Sequence, residues 1–280
     1  MQHLRTVTRG LIGTIVVVGG LAALAPSAQA DSLPVACSET ALVAAVNLAN
    51  STAAADTLVL AAGCTYRMTA SHGNAAHGQD ALPLITTSIE LIGPATITRA
   101  SLLPFRIAEV SPTGALTLTT SVALTNGSAV GSGGAILNFG AVTLTGSSLA
   151  GNTATLNGGG LANADTAAGT APAATFTSSL VSGNTALRRG GGIYNGLRGT
   201  LTTTGVPLNG NTARRGGGIA AVDSTATTLT SSPVSSNLAL VTAGGVYRLN
   251  GTMTTTSSPI SANTANNCVG SAPAVPSCTG

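Results

Sequence analysis

The sequence predicts an all-β fold, a parallel β-helix built from coils of about 26 residues, and three observations carry that reading. The first is a recurring asparagine context. Asn152, Asn184 and Asn211 stand in GNTA, Asn237 in SNLA and Asn263 in ANTA, with Asn126 (TNGSA) a looser copy. Their spacings are 26, 32, 27, 26 and 26 residues. The second is a glycine step between them, ending at Ile136, Leu161, Ile193, Ile219 and Val246. The third is an alternation of period two. Ten residues before each Asn stand Leu116, Val142, Ala174, Leu201, Thr227 and Met253, and eight before stand Leu118, Leu144, Phe176, Thr203, Leu229 and Thr255. Between and after them threonine recurs in every coil, as Thr117, Thr143, Thr175, Thr202, Thr228 and Thr254, then Thr119, Thr145, Thr177, Thr204, Thr230 and Thr256. Alternation of this kind is the signature of a strand with one buried face. A strand returning in the same sense every coil pairs in parallel, not as a hairpin. The apolar set is expected inside and the threonines outside. The Asn column is expected at a turn, where Asn tolerates left-handed backbone angles and can bond from coil to coil.

Along the chain, residues 1–30 read as a secretory leader. Arg5 and Arg9 precede the apolar run 11–25, and Ala28-Gln29-Ala30 offers a small-residue cleavage site. The run is shorter than the roughly 20 residues that span a bilayer, so no stable membrane anchor is expected after cleavage. Residues 31–56 read as an N-terminal cap, with Ser38 before an amphipathic helix that runs to Asn50. The β-helix is expected over 57–265, with early strands at 57–60, 89–91, 96–98 and 105–107, a polar loop at 73–79, and roughly eight coils along an axis of about 40 Å. Residues 266–280 form a tail. Four cysteines in an exported chain read as two disulfides, Cys37 with Cys64 and Cys268 with Cys278, one near each end of the array.

Composition narrows the function. Charged residues are 7% and aromatics 2%, which suits a solenoid whose thin core is shared between neighbouring coils. Without the leader's Arg5 and Arg9, nine arginines face eight acidic residues, so no basic face suited to nucleic acid is expected. The sequence contains no nucleophile elbow, phosphate loop or zinc motif. Ser71-His72-Gly73 has no accompanying Asp pair, and His72 and His77 have only Asp80 nearby. Neither a metal nor a cofactor is expected.

The GNTA and GGGIYN units, with the entry segments CSETALVAAVNLAN and ADTLVLAAGCTYRMT, resemble bacterial secreted right-handed parallel β-helix proteins, including those with polymorphic outer membrane protein-type repeats. The likeness spans almost the whole chain after the leader and implies a right-handed coil. Autotransporter relatives continue into a C-terminal barrel, which is not expected here after Gly280. Fold likeness of this kind leaves the activity open.

Three sets of residues are candidates for a site. Asp165 and Asp223 fall in one column two coils apart, roughly 10 Å between backbones, with Arg198 one position off it. They are the acidic residues of the regular repeats, and a carboxylate–guanidinium–carboxylate cluster could serve a lyase or glycoside hydrolase. They are too few for a calcium cage. Arg188-Arg189 and Arg214-Arg215 each precede GGG, and stacked on adjacent coils they form a candidate patch for an acidic polymer or a solvated, charge-protected edge. The two threonine columns form a candidate binding face that resembles the ice-binding face of β-solenoid antifreeze proteins, although β-propensity alone also favours Thr there. The expectation is a secreted, non-catalytic scaffold presenting an extended face to polysaccharide or cell-surface glycan. The alternatives are a polysaccharide-active β-helix enzyme or an ice-binding protein. Self-association is plausible at a poorly capped coil end.

Overall fold

The protein, described from a computed structural model over residues 32–164 and 169–280, is a parallel β-solenoid of about eight turns. Each coil has up to four short strands. In one representative coil these are Ala141–Thr145, Ser148–Ala150, Thr153–Ala154 and Leu161–Asn163. Coil upon coil they stack into a first face of nine strands, a second of eight, a third of five and a fourth of six. Every pairing within these faces is parallel. The leader expected at 1–30 lies outside the described residues, and among those described no helix is long and apolar enough to cross a membrane.

The alternation read from the sequence sets the first face. Leu116, Val142, Ala174, Leu201, Thr227 and Met253 are buried, as are Leu118, Leu144, Phe176, Thr203 and Leu229. One apolar core runs unbroken from Val35 to Val275. Thr227 and Thr203 are the polar intruders. Thr227 Oγ1 accepts from Asn195 Nδ2 at 2.9 Å, whereas Thr203 Oγ1 has no partner. A buried hydroxyl without a hydrogen bond costs about 1–3 kcal/mol, and valine has nearly the same shape. Thr203→Val is therefore expected to raise stability by about 1 kcal/mol, read as a higher urea midpoint with an unchanged slope.

The Asn column bonds from coil to coil as expected, but the left-handed turn angle falls elsewhere. Asn152, Asn184, Asn211 and Asn237 are all buried, and each amide donates to the next: Asn152 to Asn184 at 2.9 Å, Asn184 to Asn211 at 3.0 Å, Asn211 to Asn237 at 2.9 Å. Asn237 continues to Asn263, and Asn263 to Asn267 in the tail, both at 3.0 Å. The left-handed angle belongs to the residue before: Gly151, Gly183, Gly210, Ser236 and Ala262 have φ between +54° and +65°. Asn126 (φ +58°) occupies that preceding position, and Gly127 N donates to Asn152 Oδ1 at 2.9 Å. The turn at Thr120 and Ser121 is one residue longer, which is why Asn126, read as a looser copy of the column, stands one position ahead of it. A second buried ladder joins Asn138, Asn163 and Asn195 at the end of the fourth face.

Both ends are covered. Helix α1 (Glu39–Asn50) is capped by Ser38, whose Oγ accepts from Ala41 N at 3.2 Å, and buries Leu42, Val46 and Ala49 on the first coils. The first face starts earlier than expected, because Ser32–Val35 pairs with the strand Asp56–Leu60 ahead of the helix. Disulfides join Cys37 to Cys64 and Cys268 to Cys278. The tail buries Cys268 and Val275, and Thr255 Oγ1 donates to Pro276 O at 2.8 Å. Two further expectations are corrected. Residues 105–107 are not a strand: all three are buried and the strand follows at Ala108–Val110. The expected polar loop 73–79 is an antiparallel hairpin, Gly73–Ala75 with Gly78–Asp80, tied down by ionic contacts that its composition does not announce.

Candidate functional site

Two exterior features and one buried ionic cluster carry chemistry. On the first face, Thr117, Thr143, Thr175, Thr202, Thr228 and Thr254 are register partners in sequence, and so are Thr119, Thr145, Thr177, Thr204, Thr230 and Thr256. All twelve are partly or fully exposed. A third outward column, Ala115, Ala141, Ala173, Thr200, Ala226 and Thr252, flanks them. No register shift interrupts these pairings, because the insertion of the 32-residue coil lies between Asn163 and Ala173, outside the strands. The result is a straight rank of hydroxyls and methyls, about 6.7 Å apart along a strand and about 4.8 Å between coils. From Ala115 onward no outward residue of the face is charged. At its N-terminal edge Glu90 takes the Thr119 hydroxyl at 2.8 Å.

A groove lies where the third face turns through the glycine corner into the fourth. The corner needs left-handed glycine: at Gly190 (φ +65°) a Cβ would stand 2.3 Å from Ile193 O. Just before this corner Asn157, Arg189 and Arg215 stack in parallel on successive coils, and Arg215 N donates to Arg188 O at 3.0 Å. The four arginines and Asn157 line a cavity of about 270 Å³. Two unit charges one coil apart repel by about 1 kcal/mol in water and several-fold more beside protein. Yet among the described residues no carboxylate forms an ion pair with any of the four. Elsewhere Arg106 is neutralised by Asp80 and Glu109, and Arg99 and Arg248 donate to main-chain carbonyls. The fourth face begins just past the corner. Its outward column runs Glu109, Leu137, Ala162, Tyr194, Ala220, Tyr247. Burial pushes the Tyr194 phenol up, opposed by the Arg189 charge and hydrogen bond, and Asp223 adds to the rise. The Arg215 guanidinium sits 5.9 Å from the Tyr247 ring centre. Asn157 Oδ1 is a buried acceptor without a partner.

The acid–Arg–acid column is only partly visible. Arg198 N donates to Asp223 O at 3.2 Å, which places the two on adjacent coils, both at left-handed turns (φ +56° and +52°). The Asp223 carboxylate accepts from Asn250 Nδ2 at 2.7 Å. Asp165 lies outside the described residues.

The buried ionic cluster had no signal in the sequence. Arg106 Nη1 donates to Asp80 Oδ1 at 2.9 Å and Glu109 Oε2 at 2.8 Å, and Nη2 to His77 O at 2.7 Å. His77 Nδ1 meets Glu109 Oε1 at 2.9 Å, and its ring packs on Phe139 at 4.5 Å. Asp80 is 0% and Glu109 3% exposed. Burial raises the Asp80 carboxyl to about 7; Arg106 opposes that rise and the Glu109 charge adds to it. A paired, perturbed carboxylate often marks an active site. These two are sealed from any polymer, so their role is to clamp the 73–80 hairpin to the solenoid. His72 is likewise engaged, 2.8 Å from Glu39 Oε1. Burial raises the Glu39 carboxyl, but bonds from Thr69, His72 and Ala70 outweigh it and hold the group at about 2.

Comparison with protein-family models, curated proteins and solved structures found no match.

Proposed function

We propose that the chain is an exported, non-catalytic scaffold whose threonine face lies on a flat, hydroxyl-bearing surface such as cell-surface or insoluble polysaccharide. The supporting observation is the unbroken register of the two threonine columns over six coils. A single dissolved chain is best held in a concavity. A straight rank of alternating hydroxyls and methyls instead complements another flat, periodic surface. The two disulfides fit an oxidising, extracellular location. The GNTA and GGGIYN units favour kinship with secreted right-handed β-helix proteins of the polymorphic outer membrane protein type.

Ice is a second reading. It is favoured by the lack of charge on the face from Ala115 onward, since ionic groups hold water in their own geometry. Thr175→Lys and Thr202→Lys place an ammonium at the centre of the face without touching the core. Each is expected to lower sedimentation with insoluble polysaccharide tenfold or more, a change of about 1.4 kcal/mol. Retention of parental binding by both variants would remove the face from consideration. Loss of ice-recrystallisation inhibition in the same variants, with no polysaccharide binding by the parent, would select the second reading.

A further inference from the structure

We propose a second binding site, independent of the threonine face: the groove between the third and fourth faces receives an acidic polysaccharide, with a carboxylate held between Arg189 and Arg215. Four observations converge. Arg188, Arg189, Arg214 and Arg215 stand on adjacent coils around one cavity, and no acidic residue lines it. Like charges stacked so closely are stabilised when an anion lies between them. One inner guanidinium is already oriented, Arg215 lying 5.9 Å from the Tyr247 ring centre, so less rotamer freedom is lost on binding. The planar fork of each presents paired donors suited to a carboxylate.

The remaining observations choose the class of anion. Asn157 Oδ1 is a buried acceptor without a partner, at the position directly preceding Arg189 in the stack. It calls for an O–H or N–H donor, which a bare carboxylate or phosphodiester does not offer and a sugar hydroxyl does. Tyr194 and Tyr247 are packed in the cluster beside the cavity, with Tyr247 buried, and so give it a firm apolar flank. An anion and a hydroxyl on one unit, repeated along a chain parallel to the axis, describe a uronate-type polymer. The outer pair, Arg188 and Arg214, is exposed and would meet the next acidic unit or steer the approach.

The test is binding of oligogalacturonate to the disulfide-bonded protein by calorimetry at low and high salt. Its methyl ester and poly(glycerol phosphate) serve as comparison probes. Oligogalacturonate is expected to bind, the ester to fail, and affinity to fall steeply with salt. Arg189→Gln with Arg215→Gln should weaken binding tenfold or more. Arg67→Gln, which removes a positive charge elsewhere, should leave it unaltered, as should Thr202→Lys. Asn157→Ala should weaken oligogalacturonate several-fold. Absence of oligogalacturonate binding, or parental affinity in the double arginine variant, would overturn the site. Preference for poly(glycerol phosphate), or indifference to Asn157→Ala, would overturn the assignment of an acidic sugar. Because Thr202→Lys reports on the other face, failure of either site is distinguishable from failure of both.

Discussion

Asn211→Ala is expected to destabilise the protein by about 3–6 kcal/mol and to split its unfolding into two steps. Asn211 Oδ1 accepts from both Asn184 N and Asn184 Nδ2 at 3.0 Å, and its own Nδ2 donates to Val181 O at 3.0 Å and Asn237 Oδ1 at 2.9 Å. Alanine leaves two buried donors without a partner, the Asn184 main-chain N–H and one Asn184 amide N–H, and takes one hydrogen bond each from Val181 O and Asn237 Oδ1. Each unpartnered donor costs about 1–3 kcal/mol when water cannot replace the partner. Asn184 and Asn211 are both 0% exposed, so water does not reach them. Solenoid stability is close to a sum of coil and interface contributions, so a break in mid-stack weakens the coupling between the two halves. Asn263→Ala supplies the contrast. That residue is half-buried, and the loss there is expected to be about 1–2 kcal/mol. Urea unfolding followed by circular dichroism measures both. Equal losses in the two variants would mean that the ladder contributes no more inside the stack than at its end.

What the sequence made legible follows from periodicity. A residue pattern that returns every coil announces its strand, its face and its register partner together, so the threonine columns and the arginine stack could be placed without coordinates. Features that occur once had no such support. Arg106 between Phe105 and Ile107 looked like an outward residue of an alternating strand, yet all three are buried, because the hairpin at 73–80 folds over that segment and brings Asp80 and His77 to it. Nothing in the spacing of residues 77, 80, 106 and 109 predicts that meeting. The Asn column was legible as a repeat that bonds from coil to coil, but its burial and its backbone angle were not. The left-handed angle and the buried amide sit on adjacent residues, and sequence alone assigned both to the Asn. Tyr194 and Tyr247 were missed for a third reason: they appear in only two coils of their column, which otherwise holds Glu109, Leu137 and two alanines.

Arg106→Ala is expected to cost about 3–5 kcal/mol at neutral pH, and the cost should shrink on acidification. Removing one partner from a buried ionic group leaves the other charge uncompensated. Here one guanidinium serves two carboxylates, so its loss leaves Asp80 and Glu109 facing each other. Protonation of either relieves that repulsion. In the parent the imbalance already exists on a smaller scale, since one cation and two carboxylates sum to a negative charge. The carboxyl of Asp80 is held at about 7, above its ordinary 3.8. A folded-state pKa raised above the unfolded one means that the native state binds the extra proton. The stabilisation is complete below about pH 4 and is lost as pH rises through about 7. The parent is therefore expected to unfold at a lower urea concentration at pH 8 than at pH 5, by an amount worth on the order of 2–4 kcal/mol. Glu39 works in the opposite sense, adding stability above about pH 4.5 that is lost toward pH 2, outside this interval. Asp80→Asn keeps an acceptor for Arg106 and removes the titration, so its midpoint should stay level from pH 5 to 8. A level profile in the parent as well would mean that Asp80 is ionised throughout and that the protein carries a buried net negative charge beneath the hairpin.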